Sequence, residues 1–284
     1  MSGDSTIAVR GLRKAYGQTV AVADVDLTVP RGEVFALLGP NGAGKTTTVE
    51  ILEGFRRRDA GEVSVLGMDP AAGGRAWRAR VGIVLQGTGE FDELTVGEVV
   101  RHFARFYPHP DDPAAVIERV GLADKVRART HSLSGGQKRR LDVALGIIGR
   151  PELLFLDEPT TGFDPQARRD FWGLIRDLAA GGTTILLTTH YLEEAEALAD
   201  RVGVIAGGRL MAVAPPRELG DRAHQPATVT WHTPDGQLRS EVTATPTALV
   251  AKLVAEACEA EVPGLTVTRP TLEDIYLTMI GEKQ

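Results

Sequence analysis

Residues 39–46, with the sequence GPNGAGKT, have the residue types and spacing of a phosphate-binding loop. Glycines allow backbone N–H groups to curl around a phosphate, and the N-terminus of a following helix adds positive potential. Lys45 is expected to reach the outer phosphates of a nucleoside triphosphate, and the Thr46 hydroxyl to bind magnesium. A glycine-rich turn with a surface lysine is the alternative, but the apolar run before the loop and the helical pattern after it favour a phosphate site. The sequence therefore predicts that ATP and Mg²⁺ bind through Gly39, Asn41, Gly42, Gly44, Lys45, Thr46 and Thr47.

Two adjacent carboxylates, Asp157 and Glu158, follow the apolar run 153–156. Neighbouring strand residues point to opposite faces, so the two acids can have different roles. Asp157 is expected to hold the magnesium ion, and Glu158 to orient and polarise the attacking water. Two acids that only cap a strand are the alternative, but ligands gather at the carboxyl ends of parallel strands. The pair predicts that ATP is hydrolysed at this edge.

A second candidate anion site lies at residues 133–137, with the sequence LSGGQ. Ser134 occupies a helix N-cap position, and Gly135 and Gly136 leave the first helical turn without side chains. An exposed helix N-terminus with bare backbone donors binds anions. One nucleotide does not need two phosphate-binding helix ends that are far apart in sequence, so the second one indicates an additional role.

The elements that must position these residues are short apolar strands that alternate with helical patterns. Continuous apolar runs bounded by turn residues are typical of central parallel strands, which indicates an α/β fold with a mostly parallel sheet. Strands are predicted at 34–38, 81–85, 153–156 and 184–188, and helices at 45–54, 165–180 and 192–199.

Three regions depart from this alternation. Residues 7–16 and 20–29 are predicted to form antiparallel strands around a Gly17-Gln18 turn, and about 88–149 to form a helical insertion. The composition changes after Pro215-Pro216, which predicts a domain at 1–215 and a small α+β appendage at 216–284. The appendage is expected to contain strands at 227–231, 238–242 and 265–268, a helix at 247–259, and a last helix opened by a Thr271–Asp274 capping pair.

The net charge of −6 argues against a chain that coats nucleic acid, and no nucleic acid partner is expected. Two basic clusters, 56–58 and 138–140, are interpreted as solvated helix ends and as an electropositive rim around the nucleotide. Cys258 is the only cysteine, which excludes an intramolecular disulfide. The longest apolar runs are too short to cross a bilayer, so another chain is expected to supply any membrane-spanning part.

The LSGGQ pentapeptide, between a phosphate loop and an Asp-Glu strand, resembles the signature of the ATP-binding-cassette (ABC) ATPases, and the resemblance covers about residues 6–213. It implies a P-loop NTPase cassette in which Tyr16 stacks on adenine, Gln86 contacts magnesium and senses the membrane partner, and His190 contacts the γ-phosphate. Residues 161–164 resemble the family's D-loop, with Asp164 its usual acid and Phe163 where leucine is commoner. Each residue alone also fits a structural role; their joint order around the phosphate loop points to the family.

The same resemblance implies a paired molecule. In this family the signature of one subunit closes on the γ-phosphate that another subunit's P-loop holds. The chain has one of each motif and is therefore expected to form a homodimer in which Ser134, Gly136 and Gln137 act in trans, with two ATP molecules between the subunits.

Several runs resemble bacterial ABC-2-type drug exporters of the daunorubicin-resistance kind: 93–98 (ELTVGE), 137–142 (QKRRLD) and 270–276 (PTLEDIY). Gln137 departs from that branch, in which methionine is common at this place. The branch implies an ATPase subunit at the cytoplasmic side of the membrane that drives a separate permease chain. Two alternatives stay open: a soluble ABC ATPase that acts on ribosomes or DNA, and the ATPase subunit of an importer.

Overall fold

The computed structural model describes residues 5–84, 91–222, 224–233, 235–257 and 261–281, which form two compact units that divide after Val213, one residue before the last strand of the first unit ends. The predicted boundary at residue 215 lies two residues further on. The first unit runs in chain order through β1 (Ser5–Tyr16), β2 (Thr19–Pro30), β3 (Val34–Leu38), α1 (Lys45–Leu52), β4 (Ala60–Val65), α2 (Arg75–Arg78), β5 (Val81–Val84), α3 (Val96–Ala104), α4 (Pro113–Arg119), α5 (Gly135–Ile147), β6 (Leu153–Asp157), α6 (Pro165–Ala180), β7 (Thr184–Thr188), α7 (Leu192–Leu198), β8 (Arg201–Ala206) and β9 (Arg209–Ala214).

The core of the first unit is a six-stranded sheet in the order β5-β6-β7-β3-β8-β9. Strands β3 and β7 are buried along their whole length, as is β6 up to Leu156, in agreement with the apolar runs that predict them. The pairs β5–β6, β6–β7, β7–β3 and β3–β8 are parallel. Because β7 lies between β3 and β6, the segments that follow these three strands meet at one edge of the sheet.

A second sheet, in the order β2-β1-β4, is antiparallel, and the predicted pairing of its first two strands is confirmed. Strand β4 was not expected. Its buried Val63 and Val65 alternate with polar residues and follow a glycine, so the segment resembles a loop in the sequence. Strands β8 and β9 were also not among the predicted strands. Gly207 and Gly208 join these strands with φ values of 53° and 72°, which a tight hairpin of this kind requires.

The predicted helical region contains α3, α4 and α5, which pack on one another. Helix α3 begins with a capping box in which the Thr95 hydroxyl and the Glu98 carboxylate each accept a backbone N–H of the other residue. Helix α5 also packs on β5. It therefore joins the helical region to the core sheet and leads directly into β6.

The second unit contains β10 (Ala227–His232), β11 (Leu238–Thr243), α8 (Pro246–Glu256), β12 (Thr266–Thr268) and α9 (Leu272–Gly281), in agreement with the predicted elements to within a few residues. Its antiparallel sheet has the order β11-β10-β12, and Leu253 of α8 packs with Val229 of β10 and with Val262. The capping pair is confirmed: Thr271 N–H donates to Asp274 Oδ2 at 2.7 Å, and Asp274 N–H donates to Thr271 Oγ1 at 3.1 Å.

Candidate functional site

The glycine-rich loop at 39–44 connects β3 to α1, as its sequence predicts. Lys45 is the first residue of the helix and is only 9% exposed. Its Nζ donates to the carbonyl oxygens of Gly39 at 2.6 Å and Pro40 at 3.0 Å. Burial lowers the pKa of Lys45, and the Glu158 and Asp157 carboxylates oppose that shift. The ammonium group is therefore held at the centre of the loop and within the field of both predicted acids.

Two other parts of the first unit support the loop. Gly44 has φ 102°, and a Cβ there would lie 2.3 Å from the carbonyl oxygen of Ala21, so only glycine fits. The β8–β9 hairpin reaches the same place: Gly208 N–H donates to the Ala43 carbonyl at 3.1 Å, and the Gly208 carbonyl accepts from Ala23 N–H at 2.8 Å. Strand β2 and the hairpin thus hold the backbone of the loop from two directions.

A cleft of about 380 Å³ lies beside the loop. It brings together most of the residues predicted to bind phosphate with the two predicted acids, and its lining residues are Ala21, Asn41, Gly42, Gly44, Lys45, Thr46, Thr47, Asp157 and Glu158. Ala21 is the one lining residue that the sequence analysis did not single out. The first turn of α1 and the end of β6 therefore face a common space.

Asp157, the last residue of β6, is held by two residues that the sequence analysis did not assign to the site. Its carboxylate accepts a hydrogen bond from the Thr188 hydroxyl at 2.5 Å, and its backbone carbonyl accepts one from the Arg139 guanidinium. Arg139 also donates to the Pro159 carbonyl at 3.1 Å. Its side chain is 9% exposed and lies 3.8 Å from Asp142, and burial lowers its pKa. The interpretation of 138–140 as a solvated basic cluster is therefore wrong for Arg139.

Glu158 lies beyond the end of β6, in a left-handed conformation with φ 43°. Strand alternation therefore does not set the direction of its side chain, contrary to the argument from sequence. Its backbone N–H donates to the Thr188 carbonyl at 3.0 Å, and its Oε2 accepts from the Thr161 hydroxyl at 3.4 Å. His190 Nδ1 lies 3.2 Å from Glu158 Oε1. A non-glycine residue in this conformation carries strain of the kind found at functional sites.

The LSGGQ segment begins α5 as predicted. Ser134 is the N-cap, its Oγ accepts from Gln137 N–H at 3.3 Å, and Gln137 Oε1 accepts from Ser134 N–H at 3.0 Å. Ser134 is exposed, and the nearest side chains to a Cβ built on Gly136 are Ala167 and Phe163, at 4.0 Å. Among the described residues that line the cleft, none belongs to this segment. The structure thus does not bring the signature to the P-loop of its own chain.

Tyr16, the last residue of β1, is partly exposed, and the Arg56 guanidinium lies 5.1 Å from the centre of its ring. Arg56 also donates to Glu50 at 2.5 Å, and Arg58 donates to both carboxylate oxygens of Asp69, at 2.9 and 2.7 Å. Two of the three arginines at 56–58 are therefore paired with acids, which offsets part of the positive charge that the sequence analysis expected there.

Gln86 lies outside the described residues. Within the described part of the chain, no group of three or more His, Cys, Asp or Glu side chains is placed to hold a metal ion. No described helix combines the length and apolar character of a membrane span.

Comparisons with known proteins identify the family and the fold. The family model described as ABC transporter matches residues 22–161. Daunorubicin resistance ATP-binding protein DrrA3 of Streptomyces coeruleorubidus is 40% identical over 98% of this chain and 97% of its own length. Nod factor export ATP-binding protein I of Ralstonia nicotianae is 38% identical over 98% of this chain and 94% of its own.

Among solved structures, cbiO1 of Clostridium perfringens, part of the ABC transporter complex cbiONQ, superposes with a TM-score of 0.69. It is 27% identical and is matched over 92% of its length and 78% of this chain. The predicted cassette fold is thereby confirmed. The chain belongs to the ABC transporter family, in which it is an ATP-binding subunit of the kind that hydrolyses ATP.

Proposed function

We propose that this chain is the ATPase subunit of an exporter of drugs or other hydrophobic compounds, and that it works as a homodimer on a separate membrane permease. The relatives support export, since one is named for daunorubicin resistance and the other for Nod factor export. Both alignments extend over the second unit as well as the cassette. The site of action is then the cytoplasmic face of the membrane, where the permease holds the subunit peripherally.

The observation that carries the dimer proposal is the position of the signature segment. Ser134 is exposed at the start of α5, yet the segment does not line the cleft that contains Lys45 and Glu158. A bare helix N-terminus at the surface suits the phosphate of a nucleotide that a second subunit holds. In a two-fold dimer Ser134, Gly136 and Gln137 of each chain would complete the site of the other.

The donor set beside the loop suits Mg²⁺ with ATP. The Thr46 hydroxyl and one carboxylate, Asp157, offer oxygen atoms, and Mg²⁺ in nucleotide sites takes few protein ligands together with phosphate oxygens and water. We assign the ion to these two residues and to Gln86; when bound, it would neutralise charge on the phosphates. Thr188 fixes the carboxylate of Asp157 by its hydrogen bond.

Nucleotide binding and hydrolysis are assigned to further residues. Lys45 would bind the β- and γ-phosphates, and Tyr16 would stack on the adenine. Glu158 would accept a hydrogen bond from the attacking water and orient it in line with the γ-phosphate, while His190, beside it, would donate to a γ-phosphate oxygen.

A complementation experiment tests the dimer. Lys45→Met removes the P-loop cation but leaves the signature intact, and Ser134→Arg blocks the signature but leaves the P-loop intact. Each variant alone should be inactive. In a mixed dimer one site pairs the intact P-loop of the Ser134 variant with the intact signature of the Lys45 variant, so the mixture should recover roughly a quarter of wild-type turnover for independent sites. A mixture as inactive as its components would contradict the proposal.

A binding experiment tests the membrane partner. The chain should sediment with membranes that contain its co-expressed permease and should stay in solution with protein-free lipid vesicles. Sedimentation with the vesicles alone would contradict the proposal that the permease holds it there. Sedimentation with ribosomes or DNA would instead support a soluble ATPase.

A further inference from the structure

A stack of three side chains connects helix α6 to His190. The guanidinium carbon of Arg168 lies 4.5 Å from the centre of the Tyr191 ring. On Tyr191 lies the imidazole of His190, with ring centres 4.1 Å apart and an angle of 40° between the planes. His190 Nδ1 in turn lies 3.2 Å from Glu158 Oε1. The contacts form a continuous series from a helix to the proposed catalytic carboxylate.

The two residues behind the imidazole, Arg168 and Tyr191, are both anchored. Arg168 lies in the first turn of α6, where its backbone N–H donates to the Asp164 carbonyl at 3.0 Å, and its side chain is only 19% exposed. The Tyr191 backbone N–H donates to the hydroxyl of the fully buried Thr189 at 3.0 Å. The tyrosine ring therefore has a fixed base and a guanidinium against it.

The imidazole needs such support because its own surroundings are open. The His190 side chain is 46% exposed. A half-exposed imidazole can rotate away from Glu158, whereas an aromatic ring 4.1 Å away restricts that rotation. A guanidinium is planar and can lie against an aromatic ring, which an ammonium group cannot do in the same way.

We propose that Tyr191 and Arg168 are positioning residues that hold the His190 imidazole beside Glu158 for hydrolysis. The inference rests on the proposed roles of His190 and Glu158. Neither Tyr191 nor Arg168 lines the nucleotide cleft. Their loss is therefore expected to lower kcat by a much larger factor than it changes the KM for ATP, because a misplaced His190 impairs turnover while the P-loop residues still bind the nucleotide.

The test compares matched variants by steady-state ATPase assay. Tyr191→Leu keeps an apolar side chain but removes the ring, and should lower kcat about tenfold or more. Tyr191→Phe keeps the ring and loses only the hydroxyl, so its kcat should stay within about twofold of wild type. Arg168→Met and Arg168→Lys should both lower kcat, since the first loses the charge and the second loses the planar group. In a His190→Ala background, Tyr191→Leu should have no further effect on kcat.

Each other outcome has a defined meaning. A normal kcat for Tyr191→Leu, or an equal loss in Tyr191→Phe, would refute the role of the ring. A raised KM with unchanged kcat would place Tyr191 in nucleotide binding instead. If His190→Ala keeps full turnover, the proposed role of His190 fails, and the inference fails with it. If His190→Ala is impaired while the Tyr191 and Arg168 variants are normal, only the inference fails. Thermal unfolding of each variant separates these results from loss of the fold, and the Arg168 variants offer a second test of the stack if Tyr191→Leu does not fold.

Discussion

Replacing Glu53 with glutamine should stabilise the protein, and by more as the pH rises. Glu53 follows α1 and is 7% exposed. Burial raises its pKa from the ordinary 4.5 to about 8, and the nearby carboxylates of Asp157 and Glu50 add to the shift. The folded chain therefore keeps a proton on Glu53 at pH values where the unfolded chain has lost it.

The sign and size follow from this difference in proton binding. Below pH 4.5 both states are protonated, and the residue has no pH-dependent effect. Between about pH 4.5 and 8 only the unfolded state ionises, so the free energy of unfolding falls by about 1.4 kcal/mol per pH unit and by about 5 kcal/mol in all. From pH 5.5 to 7.5 the loss is roughly 2–3 kcal/mol. Glutamine has nearly the same shape and no charge at any pH, so the variant escapes this loss.

Thermal unfolding without nucleotide or magnesium measures the effect. Since 1 kcal/mol shifts the melting temperature of a unit of this size by about 2–4 °C, the advantage of Glu53→Gln should grow by roughly 5–10 °C between pH 5.5 and 7.5. The matched control is Glu118→Gln on the exposed face of α4, for which the difference from wild type should stay constant over this range. Parallel melting curves for wild type and Glu53→Gln would refute the reasoning.

Two further variants test the supports of Asp157. Thr188→Val keeps the shape of the side chain but removes the hydroxyl that donates to the carboxylate. The Mg²⁺ concentration for half-maximal ATPase activity should rise about tenfold, and an unchanged requirement would show that this bond does not orient a metal ligand. Arg139→Met removes the buried cation that lies 3.8 Å from Asp142, and should lower the free energy of unfolding by about 3–5 kcal/mol in urea titrations. The same change at Arg140, whose side chain is 23% exposed, should cost far less, and equal losses would contradict the structural role of Arg139.

The sequence predicts best those elements whose signals are local. Helix α6 has its predicted bounds because Asp164 caps it, Pro165 occupies its first position and glycines follow Ala180. Strands β3, β6 and β7 are recognisable because burial on both faces makes them continuously apolar. Strand β4 is not, because its alternating Val63 and Val65 acquire meaning only when β1 pairs with it.

In the site, too, the residues that form contiguous motifs were predicted, and those that depend on distant contacts were not. The phosphate loop and the two acids are contiguous motifs, and their presence in one cleft follows from the order of parallel strands. The partners of Asp157 are not contiguous with it. Thr188 ends another strand, and Arg139 lies on a helix among basic residues that look solvated in the sequence. The left-handed backbone conformation of Glu158 is likewise not predictable from the sequence. The residue is not a glycine, and its backbone N–H donates to a residue of another strand, β7.

The contact between the β8–β9 hairpin and the phosphate loop limits where the chain can be truncated without loss of the nucleotide site. Every residue assigned to nucleotide binding or hydrolysis lies at or before His190, so a fragment that ends there contains all of these residues. It would nevertheless lack Gly208, whose N–H and carbonyl join the Ala43 carbonyl to the Ala23 amide. Truncation before this hairpin removes both hydrogen bonds that support the phosphate loop. A tag or fusion point placed within the hairpin would disturb the same two hydrogen bonds. The smallest useful fragment therefore extends through β9.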